Sequence, residues 1–556
     1  MRFKFIAAAV GLVVANVAVA DEGMWQPHQL PELESVLKAK GLSIDVESIS
    51  KLTEFPMNAV ISLGGCTASF VSPKGLVVTN HHCAYGSIQY NSTTENNILE
   101  NGFLAKTTGE EVPAAPGSRV FVTEQVTDVT DKVNKGTEKL TGKARFDAIQ
   151  ANEKALVSEC EQDKSYRCNV YTFHGGLEYY LIKSLEIKDV RLAYAPAMGV
   201  GKYGGDIDNW MWPRHTGDFS FYRAYVGKDG KPAEYSEDNV PYQSDAFLKV
   251  SAKGVQEGDF VMVTGYPGST NRYRISPEVD YVFNTAYPLA RKYNSKYVSL
   301  IEENAPEGSE ARIAYESTIA GYNNYIKNYG SMIESFNKGS MYSRKQQFEK
   351  DLTAWINEDS KRKAKYGHVL ADLSALVAQS QEHNQRDRML GYVHRSQMIS
   401  TARRLYRLAY EKQKPDAERE SGYQERDMPR IESRLKSMSR RYDEAVDKAI
   451  LLYFIEQYAA LPKDERVAEV DKALGLTNGF DKQKQKALLD DMYAKSVLAD
   501  ESKRLWMADL DLTQLKQSSD PFIQYAHAIF AVTKDIEDAK KELAGKQQAA
   551  RPALME

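Results

Sequence analysis

The sequence predicts a β-plus-α multidomain protein, with a β-rich first half and a long, nearly all-helical second half. Three observations carry this reading. Short runs of β-branched and aromatic residues, separated by Gly, Pro and Asp turn chemistry, dominate residues 21–274. Of the 19 prolines, 11 lie in residues 21–275, and none lies between Pro306 and Pro415. Beyond residue 275, apolar residues follow helical spacing, as in Val369, Leu373, Leu376 and Val377, or Met398, Leu405 and Leu408. At 556 residues the chain is too long for one ordinary core. With 42% apolar and 27% charged residues it reads as globular and soluble. A formal net charge of -4 argues against a nucleic-acid binder, which would show a basic patch.

Taken in order, residues 1–20 read as a secretory signal peptide. Arg2 and Lys4 precede the apolar run Ile6 to Val19, and Ala18-Val19-Ala20 is a small-residue cleavage signal. An uncleaved anchor is the rival, disfavoured by the short run. The expected location is the periplasm or the medium, after cleavage behind Ala20. No later run is long and apolar enough to span a bilayer, so no membrane contact is expected after cleavage. Residues Leu30 to Lys40 read as helical. Ala68–Val71 and Leu76–Thr79, joined by Ser72-Pro73-Lys74-Gly75, read as a β-hairpin. Arg119–Thr123 and Val126–Val129 continue the β character, Thr137–Cys160 reads as a charged helix, and Tyr171–Tyr194 is β-prone again. Phe219–Val226 and Asp259–Gly265 read as strands. Residues 275–545 read as a helical domain with solvated outer faces. The tail, Lys540–Glu556, reads as Ala-, Gln- and Lys-rich sequence without a cap or core.

The four cysteines, Cys66, Cys83, Cys160 and Cys168, all lie in the exported part, where disulfides form. Three pairings are open to four cysteines. Cys66–Cys83 with Cys160–Cys168 is expected, because each pair closes a short local loop. A zinc site is the alternative, although the spacing lacks C-x-x-C.

Two segments carry chemistry. In the first, the cysteines bracket the hairpin and His82 directly precedes Cys83, so a cystine would fix the imidazole where a general base must be held. The second is Gly204-Gly205-Asp206-Ile207-Asp208-Asn209-Trp210-Met211-Trp212-Pro213-Arg214-His215-Thr216-Gly217-Asp218. Asp218 sits at a loop-to-strand boundary, where a carboxylate could orient His82. His81 reads as a packing residue and His215 as a loop-fixing hydrogen bonder. Asp206 and Asp208 read as local turn-bonders. Trp210 and Trp212 are candidates for core or for a pocket wall.

The string Thr79-Asn80-His81-His82-Cys83-Ala84 and the order His82 before Asp218 resemble chymotrypsin-like serine peptidases, and more narrowly the bacterial dipeptidyl-peptidases of serine peptidase family 46. The resemblance extends to Asp21-Glu22-Gly23-Met24-Trp25, to Gly265-Tyr266-Pro267-Gly268-Ser269-Thr270-Asn271-Arg272-Tyr273 and to Asn323-Asn324-Tyr325-Ile326-Lys327-Asn328. It implies a double β-barrel with a large helical cap, here a chymotrypsin-like catalytic domain over 21–274 and a cap over 275–556. It implies release of dipeptides from peptides with a free N-terminus, with His82 as base and Asp218 as its orienter. Asn209, Trp210 and Asn324 would grip the substrate's amino group. A homodimer is implied, and no metal or organic cofactor. The family's nucleophile lies in a Gly-Asn-Ser-Gly-Ser-Pro motif, and the 556 residues contain no Gly-x-Ser-Gly. The expectation is therefore a truncated member, with an incomplete barrel pair and without its own turnover. A trypsin-like periplasmic endopeptidase and an inactive peptide-binding fragment are the rival readings.

Overall fold

The β-prone runs of the first half pair into one antiparallel sheet. In the computed structural model, which describes residues 24–556, eleven strands belong to it. They are β1 (Val60–Ser62), β2 (Thr67–Phe70), β3 (Leu76–Thr79), β4 (Phe103–Leu104), β5 (Val112–Pro113), β6 (Val120–Asp128), β7 (Tyr166–Phe173), β8 (Glu178–Ile187), β9 (Asp189–Ala195), β10 (Ser220–Val226) and β11 (Val240–Pro241). The order is β4-β9-β10-β3-β2-β1-β6-β8-β7, with β5 on β9 and β11 on β10. Lys188 alone separates β8 from β9, yet the two strands lie near opposite ends of this path. The sheet therefore curls back on itself. Its concave side is one apolar cluster, built from Ile61, Phe70, Val77, Val120, Ile187, Leu192, Tyr222 and Ala224. The signal-peptide expectation lies outside the described residues.

The hairpin forms as read, with Ser69 opposite Val78 and Phe70 opposite Val77. Gly75 takes φ +65°, and a Cβ there would stand 2.8 Å from the Ala224 carbonyl, so both conformation and space require glycine. Two expectations fail. Asp259–Gly265 is irregular backbone, not a strand. A strand needs a neighbour to take its N–H and C=O groups, and no described strand pairs with it; Val261 and Val263 stay exposed. The tail also differs. Residues Pro521–Met555 form one helix, and Ala550, Ala553 and Leu554 pack on Ile275, Val369, Leu373 and Val377. Arg551 adds an ion pair to Glu278 at 2.5 Å.

The helices that matter for the site and its support are α1 (His81–Tyr90), α2 (Gly142–Cys160), α3 (Tyr287–Asn304), α4 (Glu310–Lys338), α5 (Gln397–Glu411), α6 (Glu444–Ala459) and α7 (Pro521–Met555). The helical core gathers Val298 and Ile301 of α3, Tyr315 and Ile319 of α4, Leu405 of α5, Phe454 of α6 and Phe522 and Ile529 of α7. Asp447, wholly buried on α6, accepts from Ser396 Oγ (2.8 Å), the Gln397 N–H (2.7 Å) and the Tyr493 hydroxyl (2.7 Å), and so ties the start of α5 to α6. Burial pushes its carboxyl up, against these bonds.

Two junctions between sheet and helices lie away from the site. Arg426 pairs with Glu161 (2.9 Å) and donates to the Cys168 carbonyl (2.8 Å), while Arg167 pairs with Asp427 (2.9 Å). Farther along, α7 crosses α2 so closely that a Cβ on Gly545 would stand 1.8 Å from the Gly142 carbonyl oxygen. Glu542 accepts the Lys143 N–H there at 2.7 Å. No described helix is long and apolar enough to cross a membrane.

Candidate active site

The ladder between β3 and β10 brings the two catalytic candidates together. Thr79 stands opposite Ser220 in an antiparallel pair. Continuing past Thr79 and stepping back before Ser220 therefore leads to the same end of the sheet. His82 lies three residues beyond Thr79, and Asp218 two residues before Ser220. His82 does not lie on β3 itself. The chain turns at Asn80, and His82 sits in the first turn of α1. The disulfide Cys66–Cys83 bonds that turn to the hairpin across a separation of 17 residues. Cys160–Cys168 is bonded as well. Among the described residues, Cys66, His82 and Cys83 are the one cluster of potential metal ligands, and its sulfurs are spent in the cystine.

Asp218 Oδ2 accepts from His82 Nδ1 at 2.8 Å, and Oδ1 accepts the His82 backbone N–H at 3.0 Å. Asn80 Nδ2 donates to Oδ2 and to the Asp218 carbonyl, each at 3.2 Å. Burial pushes the Asp218 carboxyl up, but the two His82 bonds and the imidazole charge outweigh it and hold the group below the usual carboxylate range. An ionised carboxylate on Nδ1 keeps the ring proton there and leaves Nε2 as the basic atom. The His82 side chain is 66% exposed, so Nε2 is open to a reactant.

His81 points the other way. Its ring is buried, meets Tyr85 edge-on at 5.6 Å, and leaves Nε2 without a hydrogen bond. Burial pushes its pKa down. Gly201 lets the two segments close, since a Cβ at that position would stand 2.6 Å from the His81 ring.

The loop between Gly201 and β10 reaches across to α4. Asn324 Oδ1 accepts from both Asn209 Nδ2 and Trp210 Nε1, each at 3.0 Å. The three residues expected to act together thus share one acceptor. Trp210 is held at φ +60°, a conformation that costs a bulky residue free energy and is stabilised here by its indole bond. Two smaller expectations fail, and one of the two Trp candidates drops out. Asp206 does not bond within its own turn; it accepts from Asn323 Nδ2 on α4 at 2.8 Å and pairs with Lys202 at 3.4 Å. His215 is exposed and its side chain makes no hydrogen bond among the described residues, because Arg214 takes the loop-fixing role through Thr216 (3.0 Å) and Asn209 Oδ1 (3.4 Å). Trp212 is 93% exposed and belongs to no core. Sequence reasoning missed Asn80, Asn323 and Arg214. Asn80 was discoverable, since it occupies the residue between strand and helix in the Thr-Asn-His-His-Cys string.

The peptidase S46 family model matches residues 20–556. The chain is 44% identical over 557 residues to the Asp/Glu-specific dipeptidyl-peptidase of Shewanella putrefaciens, a match covering 100% of this chain and 74% of that protein. It is 38% identical over 399 residues to dipeptidyl-peptidase 7 of Capnocytophaga gingivalis, covering 70% of this chain and 55% of that one. The fold matches the crystal structure of Porphyromonas endodontalis DPP11 in complex with the dipeptide Arg-Asp, with a TM-score of 0.78 at 26% identity, over 96% of this chain and 76% of that one. The imidazole–carboxylate pair and the loop that meets Asn324 therefore sit in a chain that belongs to the peptidase S46 family.

Proposed function

We propose that this chain carries the general base, the orienting carboxylate and the amino-terminal grip of a serine-type dipeptidyl-peptidase. The observation that carries the reading is the 2.8 Å bond between His82 and Asp218. Its strand and loop, β10 and residues 202–219, also carry Asn209 and Trp210 to Asn324. Relatives named for dipeptide release, and a related structure holding a dipeptide, support it.

His82 Nε2 takes the proton of an attacking hydroxyl and later returns it to the leaving amine, while Asp218 stabilises the imidazolium between these steps. Asn209, Trp210 and Asn324 hold the substrate's free amino end, which sets the cut two residues in. The curled sheet corresponds to one chymotrypsin-like barrel over 21–274, and the helices of 275–556 to the cap. No Gly-x-Ser-Gly occurs in the 556 residues, and none of them is assigned the nucleophile. Export with cleavage after Ala20 and a homodimer complete the proposal; N-terminal sequencing and light scattering test them.

The experiment is a calorimetric titration of acidic dipeptides, free and N-acetylated, into the chain. Binding of the free dipeptide, lost at least tenfold on acetylation or in Asn324→Ala, is the expected result. Equal binding of the blocked dipeptide would favour the endopeptidase reading. Dipeptide binding left unchanged by Asn324→Ala would overturn the amine grip.

A further inference from the structure

Helix α5 presents two different faces. Met398, Ile399, Ala402, Leu405 and Ala409 are buried in the helical core. Ser400, Arg403, Arg404 and Arg407, at i, i+3, i+4 and i+7, line a cavity of about 300 Å³. That volume is at the lower end for small-molecule pockets. Tyr423, Ala526, Phe530, Thr533 and two carboxylates, Glu420 and Glu537, complete the wall.

The charges of this region do not balance. Arg407 pairs with Glu411 (2.6 Å), Glu537 (3.0 Å) and Glu420 (3.6 Å). Lys541 pairs with Glu420 (2.5 Å) and Glu537 (3.1 Å), and Lys414 with Glu411 (2.7 Å). Three cations thus satisfy three carboxylates. Arg403 and Arg404, in the same wall, have neither a hydrogen bond nor an ion pair among the described residues. Arg430 and Arg434 stand nearby, also without a carboxylate, and their charges add to the repulsion felt by Arg404. Burial, then neighbouring guanidinium charge, holds Arg404 below the ordinary arginine range, and burial does the same for Arg403. The hydroxyls of Ser400 and Tyr423 have no hydrogen-bond partner among the described residues either.

Partly buried like charges cost free energy unless a counter-charge joins them. Guanidinium forks match the oxygens of phosphate and carboxylate. We infer that this cavity is a binding site for a doubly charged oxyanion, a phosphate group or a compact dicarboxylate, held between Arg403 and Arg404. It shares no residue with the catalytic pair or the amine grip.

The test is thermal unfolding and calorimetry of the full chain with inorganic phosphate or succinate, at constant ionic strength balanced with sodium chloride. A saturable, one-to-one rise in melting temperature is expected with at least one of them. Phosphate saturating first identifies a phosphate-bearing ligand, and succinate saturating first a dicarboxylate. The double variant Arg403→Gln/Arg404→Gln should bind at least tenfold more weakly while melting no lower than the parent without anion. Arg430→Gln/Arg434→Gln, on the exposed rim, should weaken binding two- to fivefold, and decides the matter if the first variant does not fold. Chloride alone giving the same shift, wild type unmoved by both anions, or either variant pair binding like wild type would overturn the site.

Discussion

Asp218→Asn tests the pair at the centre of the site. The carboxylate accepts three bonds, from His82 Nδ1–H (2.8 Å), the His82 backbone N–H (3.0 Å) and Asn80 Nδ2 (3.2 Å). An amide has one oxygen. Kept toward the backbone N–H, it places an NH₂ against His82 Nδ1 and Asn80 Nδ2. The imidazole must then accept at Nδ1 and carry its proton on Nε2, the tautomer that cannot act as base. Hydrogen bonds to a charged group are worth about 1.5–3 kcal/mol. The exposed imidazole recovers part of this from water, so the expected loss is about 1–2 kcal/mol. The sign with pH follows from the depressed Asp218 pKa. The pair's stabilisation is present above the unfolded carboxylate value, about 3.9, and is lost as pH falls through the lower folded value. The gap between wild type and variant should close on acidification. Urea unfolding at pH 7 and in acid measures it, and imidazole ¹⁵N shifts report the tautomer. An unchanged Nδ1–H tautomer in the variant, or a gap that does not narrow in acid, would refute the reasoning.

Two further outcomes are expected. Replacing Cys66 and Cys83 together by Ser should cost about 3 kcal/mol, the loop-entropy value for a closure of this length, read from urea unfolding. The loss should be accompanied by exchange broadening of the His82 imidazole, because the first turn of α1 is no longer held to the hairpin. Gly201→Ala should cost about 1–3 kcal/mol by driving a methyl into the buried His81 ring, visible as a lower denaturation midpoint with an unchanged slope.

Much of the site was legible because its determinants are local or in register. The Ser72-Pro73-Lys74-Gly75 turn specifies the hairpin, and two short loops specify both disulfides. The meeting of Asn209, Trp210 and Asn324 was readable only through family resemblance, since 114 residues separate Trp210 from Asn324. What failed was context. Asp259–Gly265 has the composition of a strand, but composition does not supply a partner ladder. The tail looked featureless because Ala550, Ala553 and Leu554 find their apolar surface on Ile275 and Val369, far away in sequence. Arg214 displaced His215 in fixing the loop for a geometric reason: its longer side chain reaches both Thr216 and Asn209.

The 35 residues of α7 give a rod about 52 Å long. Its beginning is sunk among the helices, its middle rests on the sheet-side helix at the Gly142–Gly545 crossing, and its end is clamped by Glu278. Such a member works as a splint. A swing of the sheet against the helices would have to carry with it both this contact of two glycines, backbone against backbone, and the Arg426–Glu161 pair.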